Sequence, residues 1–301
     1  MRHDMPAAFH RLCYRVRPDM APQDKNTNCG ATDHHPGSGP ARRRAHRLTS
    51  VLLVVLLLSL TAIPAPRAAE RVVSLNLCTD QMLVLLAPEK TAGLTPLARD
   101  PVLSFVAQQA SRLPIVRPVA EAVLQRHPDL VLAADYGAQT TLALLQTEGV
   151  AVLRIPSATD FAQIRSTTAQ IATALGVPAR GTALIAAMDA QLAALPHPAR
   201  PRTAIAWEPR GYTAGPGSLM DAVLRAAGWT NAATGRPLGR EALLRDSPGL
   251  LVVPDTPDFP SLATAMLNDP ALSHIPHTAL PPALTICAGP FTALAAAMLA
   301  R

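Results

Sequence analysis

Few residues in this chain could do chemistry. Cys78 and Cys287 are two of its four cysteines, and each stands just after a predicted strand. Three roles are open to them: thiolate contact with a metal centre, a disulfide, or burial as small apolar side chains. His127, His274 and His277 share no ligand spacing with them and read as surface residues, so no metal set is assigned. No Gly-x-Ser-x-Gly elbow, His-Glu-x-x-His helix or Cys-x-x-Cys pair occurs, and no catalytic set is assigned. Of the ten aromatic residues, Tyr136, Trp207 and Tyr212 fall in loops or at strand ends. Aromatic rings there suit a large, flat, partly apolar ligand, and the nearby Arg210 suits a carboxylate or acidic chelate. Trp207 reads equally well as a core residue that finishes its strand. The Gly211–Ser218 loop before a helix lacks Gly-Lys-Ser/Thr and dinucleotide spacing, which makes it a plain turn.

Charge narrows the partners. The chain carries +6 over 301 residues, with a sequence pI near 9.7. Residues 1–69 hold ten Lys+Arg and four Asp+Glu, which accounts for all of it. Residues 70–301 hold 17 of each sign and one lysine, Lys90, with no clustered cations. A surface that tracks nucleic-acid phosphates needs such clusters, so nucleic acid is excluded as a partner.

The positive segment reads as an address. Arg42, Arg43, Arg44 and Arg47 precede the apolar run Val51–Leu58, and small residues and prolines follow to Ala69. That order describes a secretory signal peptide over 42–69, too short for a spanning helix. Residues 1–41 have no periodicity and read as an extension ahead of the true start. The expected location is therefore outside the cytoplasm, where cysteines meet oxidising conditions.

Behind the leader, Arg71–Leu75 reads as a strand, and Thr79 or Asp80 as the cap of a helix over Gln81–Ala87. A helix over Ala120–Arg126, a strand at Leu130–Ala133, a helix over Thr140–Gln146 and a strand at Ala151–Ile155 follow. Apolar strands alternating with helices indicate an α/β fold with a parallel sheet. Phe161, Ile164, Thr168, Ile171 and Leu175 then mark one face of a helix, and Leu184, Met188, Leu192 and Leu195 mark a second. Strand signals resume at Thr203–Trp207.

The two halves repeat. Ala120–Leu132 aligns without gaps onto Arg240–Val252, an offset of 120 residues with five identities. One offset of this size means two similar α/β lobes rather than a solenoid. The expected divisions are a first lobe at 70–156, interlobe helices at 157–200 and a second lobe at 201–301.

Arg71–Asn76, the Glu121 to Leu132 block, the helical bridge and Gly211–Gly215 appear in an order that resembles one family. It is the periplasmic substrate-binding proteins for ferric siderophores and cobalamin of ABC importers, and the resemblance spans about residues 70–301. It implies two lobes joined by a long interlobe helix, with a ligand cleft between them. The expected ligand is an iron chelate or a corrinoid, the expected partner a membrane permease with its ATPase, and the expected state a monomer without a cofactor. Open α/β sheets bind ligands at the carboxyl ends of their strands. That rule nominates Asn76, Cys78, Thr79, Asp80, Asp135 and Tyr136 in the first lobe, and Trp207, Glu208, Arg210, Tyr212 and Cys287 in the second. By the same resemblance Glu121 and Glu241, one per lobe, are docking pegs for permease arginines. The plainer reading is a helix-start carboxylate favoured by the helix dipole. An exported enzyme with a cysteine nucleophile and a ligand-sensing domain are the competing classes.

Overall fold

Short apolar runs bounded by turns become strands, and the longer periodic runs between them become helices. The computed structural model describes residues 68–196, 198–200, 202–255 and 269–301. The expected leader, save Ala68 and Ala69, lies outside the described residues. The first half runs β1 (Val72–Ser74), α1 (Leu77–Leu86), β2 (Thr91–Gly93), α2 (Ala107–Ala110), α3 (Ala120–Leu124), β3 (Leu130–Ala134), α4 (Gln139–Thr147) and β4 (Ala151–Ile155). Two helices follow, α5 (Phe161–Ala174) and α6 (Pro178–Ala193). The second half runs β5 (Thr203–Ala206), α7 (Leu219–Ala226), β6 (Thr230–Asn231), α8 (Arg240–Asp246), β7 (Leu250–Pro254), β8 (His277–Leu280) and α9 (Thr292–Leu299).

Each half builds a parallel four-stranded sheet, ordered β2-β1-β3-β4 and β6-β5-β7-β8. The α/β expectation is met, and the duplication extends to register. Val72 of β1 lies opposite Leu130, as Ala204 of β5 lies opposite Leu250, and those two leucines are the same position of the repeat. Past α3 and α8, His127 (φ 47°) and Ser247 (φ 36°) both enter the left-handed region. They too are 120 residues apart. Few non-glycine residues adopt that conformation, so its recurrence at one repeat position argues against chance. β3 is buried at all five residues, as a central parallel strand covered on both faces requires.

Two helices join the halves, as the two periodic stripes predict. Gly176, at φ +69°, turns the chain between α5 and α6, which pack on each other. At Gly181 a Cβ would stand 2.5 Å from the Ala172 Cβ, so the absent side chain sets how closely the helices approach. Leu184 of α6 packs in the core beneath the first sheet, while Leu192 packs in the core of the second. A 16-residue helix is about 24 Å long, enough to reach from one core to the other.

One helix begins earlier than its sequence suggests. α1 starts at Leu77, and Asn76 caps it by accepting the N–H groups of Cys78 (3.0 Å) and Thr79 (3.1 Å). The Thr79 hydroxyl is turned inward to Ser74 Oγ at 2.7 Å instead. Cys78 and Asp80, expected in a loop or at a cap, are thereby helical residues.

Candidate functional site

Asp80 shows what that shift costs the expected site. Its side chain is fully buried and accepts from the backbone N–H (3.1 Å) and hydroxyl of Thr95, just past β2. It fastens α1 to the loop after β2. Burial pushes its carboxyl up to about 7, against the hydrogen bonds from Thr95 and Ser74 that pull it down. The sign of the consequence follows. Below about 7 the folded protein holds a proton that the unfolded chain releases near 4, so this group lowers stability as pH rises between those values. Asp80→Asn imitates the protonated form. The melting-temperature advantage of wild type over Asp80→Asn should be larger at pH 5 than at pH 8, and parallel melting curves would contradict this.

Trp207 is also part of the core. It is 0% exposed, and its Nε1 donates to the Leu238 carbonyl at 2.8 Å. Its backbone bridges antiparallel to Thr213, so the chain after β5 folds back on itself and draws the indole inward. Gly211 makes that turn possible: it adopts φ +78°, and a Cβ there would stand 2.6 Å from the Leu238 carbonyl oxygen. The turn leaves Arg210 and Tyr212 exposed, Tyr212 by 57%. Asp135 and Tyr136, directly past β3, are exposed as well, Tyr136 by 63%. Asn76 is half-buried, with its carbonyl oxygen committed to the helix cap.

The two cysteines are joined. Cys78 in the first turn of α1 and Cys287 in the segment after β8 form a disulfide, with Cα atoms 5.2 Å apart and 209 residues between them in sequence. Of the three roles open in the sequence, the bridge is the one realised, and neither sulfur is a free thiol. The segments that leave the carboxyl ends of β1 and β8 therefore meet. Cys287 is itself buried within the second half's core, which also takes in Leu77 of α1. Phe105 stacks on Phe291 beside it, ring centroids 4.7 Å apart. These apolar contacts surround the bridge between the two halves.

An open pocket of about 410 Å³ lies at the carboxyl ends of β5, β7 and β8. Glu208 lines it together with the start of α7 and the turn from Pro282 to Ile286. Burial raises the Glu208 carboxyl above the usual glutamate range. The sequence named Glu208 but not the 282–286 wall, which lies in the proline-led turn after β8. The Gly211–Ser218 loop is no phosphate cradle. Gly211 N–H goes to the Glu208 carbonyl and Gly217 N–H to Asp221 Oδ2. Among the described residues no group of three or more His, Cys, Asp or Glu could hold a metal.

Glu121 and Glu241 are both exposed, each in the first turn of its helix, α3 and α8. Glu241 is steadied laterally by Arg240 at 3.1 Å, and Arg240 also holds Asp269 at 2.9 Å. Its own backbone N–H and then Arg240 keep the Glu241 carboxyl below the usual range.

Comparison with known proteins bears on the whole arrangement. The sequence profile described as periplasmic binding protein matches residues 72–279. A cobalamin-binding protein of Halobacterium salinarum is 37% identical over 120 residues, which is 38% of this chain and 32% of that protein. The match thus spans about a third of that relative's length. A periplasmic heme-binding protein from Roseiflexus sp. RS-1, in apo form, superposes with a TM-score of 0.62 at 24% identity, covering 77% of this chain and 97% of that one. The periplasmic vitamin B12-binding protein of Vibrio cholerae superposes at 0.56 with 17% identity, over 78% and 96% of the two chains. At these identities the structural likeness is one of fold.

Proposed function

The chain belongs to the periplasmic binding protein family, and on that premise we propose that it is the solute-binding component of an ABC importer. It captures a corrinoid or an iron chelate, heme included, and hands it to a membrane permease driven by an ATPase. It works as a monomer in the periplasm after removal of the leader at 42–69. The observation that carries this reading is the covalent joining, at Cys78–Cys287, of the segments that follow β1 in one half and β8 in the other, with an open pocket bordered by the adjacent Ile286. Parallel sheets place binding loops at the carboxyl ends of their strands. Tyr136 from the first half and Arg210 and Tyr212 from the second supply exposed rings and a cation in those loops. The cobalamin-binding relative supports the ligand class.

The competing enzyme reading needs a thiolate nucleophile, and the disulfide leaves neither Cys78 nor Cys287 able to supply one. A thermal-shift screen of the exported part against cyanocobalamin, hemin and ferric hydroxamates tests the proposal. A compound that binds only the folded state stabilises it by mass action, by about 2.7 kcal/mol at a hundredfold excess over Kd, and so raises the melting temperature. At least one of the three should do so. No shift with any of them would reject the reading.

A further inference from the structure

The pocket beside the disulfide has a chemical polarity of its own. Its walls are mostly apolar, from Val252 and Pro254 of β7, Leu280 of β8, Met220 of α7 and the exposed Ile286 at the rim. Into this surface the half-buried Glu208 brings a carboxylate that has no polar partner among the described residues. Arg210, two residues on, is exposed and is not part of the wall, so it does not neutralise that charge.

Several donors nearby are already used. Ser218 Oγ donates to the Gly215 carbonyl at 2.7 Å and accepts the Asp221 N–H at 3.2 Å. Gly217 N–H goes to Asp221 Oδ2 at 3.1 Å, and Glu208 N–H to the Tyr212 carbonyl at 2.8 Å. The caps at Gly217 and Asp221 are thus made by the protein itself, while the N–H groups of Leu219 and Met220 and the Thr285 hydroxyl also border the pocket. The one charged group the pocket presents is the unpaired Glu208 acceptor, set in mostly apolar contact. A carboxylate half-removed from water without a donor is unfavourable, and its raised protonation range reflects that. A ligand that brings a donor relieves this, whereas a ligand carboxylate adds like-charge repulsion.

We propose that this pocket is a subsite for one peripheral arm of the ligand, an apolar stem ending in an N–H donor such as a primary amide or an ammonium. Glu208 is the specificity-determining residue that accepts from it and turns away carboxylate-bearing arms. At about 410 Å³ the space is at the small end of the roughly 300–1,000 Å³ range of ligand pockets, so it houses an arm and not a whole macrocycle. The inference rests on the importer reading above. Hydrogen bonds to charged groups imply a preference of about tenfold to a hundredfold.

Matched probes test it: cyanocobalamin against its monocarboxylic acid, hemin bis-amide against hemin, and ferrioxamine B against its N-succinyl derivative. Wild type should bind the amide or ammonium member of a pair about tenfold tighter or more. Glu208→Gln should collapse that ratio to within about threefold, and Glu208→Arg should reverse it. The melting temperature of ligand-free Glu208→Gln should equal or exceed that of wild type, since an unpaired carboxylate is removed. Ile286→Trp, which narrows the mouth without touching the carboxylate, should weaken binding of the donor member. A ratio near one in wild type, or a ratio unchanged in Glu208→Gln, overturns the subsite while leaving the importer reading standing. Failure of every parent compound to bind overturns both.

Discussion

Serine at both Cys78 and Cys287 is expected to lower the melting temperature by about 5–15 °C, the largest stability effect of any pair in the protein. The bridge spans 209 residues, almost the whole described chain. Cross-linking positions so far apart removes much of the freedom of the unfolded chain, and loss of a native disulfide typically costs about 2–5 kcal/mol. A domain of this size loses about 2–4 °C per kcal/mol. After reduction the site of the bridge keeps its apolar contacts, with Leu77 in the second half's core and Phe105 stacked on Phe291. Protein purified without reductant should show no titratable thiol at these two positions. An unchanged melting temperature in the double variant, or two free thiols in wild type, would contradict the bridge.

Reversing charge at both Glu121 and Glu241 to lysine should reduce ligand uptake by intact cells to background while leaving ligand affinity within about twofold. The two carboxylates are exposed at equivalent places, the first turns of α3 and α8, in halves that share one strand order. Two Arg–carboxylate contacts fix both the position and the rotation of a docked protein, and like-charge juxtaposition at such contacts costs several kcal/mol. Single exposed ion pairs contribute little to folding, so the variant should remain stable. Glu241→Lys also releases Arg240 from one of its two partners, leaving Asp269. Lost affinity, or uptake that persists in the double variant, would refute the docking role.

Legibility in the sequence followed the range of the interaction that decides each feature. The apolar run at Leu130–Ala134 and the stripe Ile164, Thr168, Ile171, Leu175 were readable because local pattern and burial agree there, and Ala151–Ile155 was readable from its pattern although only Ile155 is buried. The 120-residue repeat was readable because equivalent positions kept both residue type and backbone role. β2 (Thr91–Gly93) and β6 (Thr230–Asn231) were not, since neither carries the apolar run that marked the equally short β1 and β5. The start of α1 was misplaced because Asn76, Thr79 and Asp80 are all good capping residues. What chose Asn76 was tertiary: Thr79 bonds inward to Ser74, and Asp80 to Thr95 fifteen residues on. Trp207 looked like a ligand contact for the same kind of reason, since only the fold-back of Gly211 and Leu238 shows that its indole is spoken for. Spacing left three roles open for the cysteines, and only the approach of two distant segments selected the disulfide.

The central claim is that one ligand is held by loops from both halves. It is tested most directly by titrating the screened compound into wild type, Tyr136→Ala and Tyr212→Ala. Saturation at one ligand per chain, with affinity reduced about tenfold or more in each variant, is the predicted result. Wild-type affinity in both variants, or in either one alone, would contradict a site built from both halves.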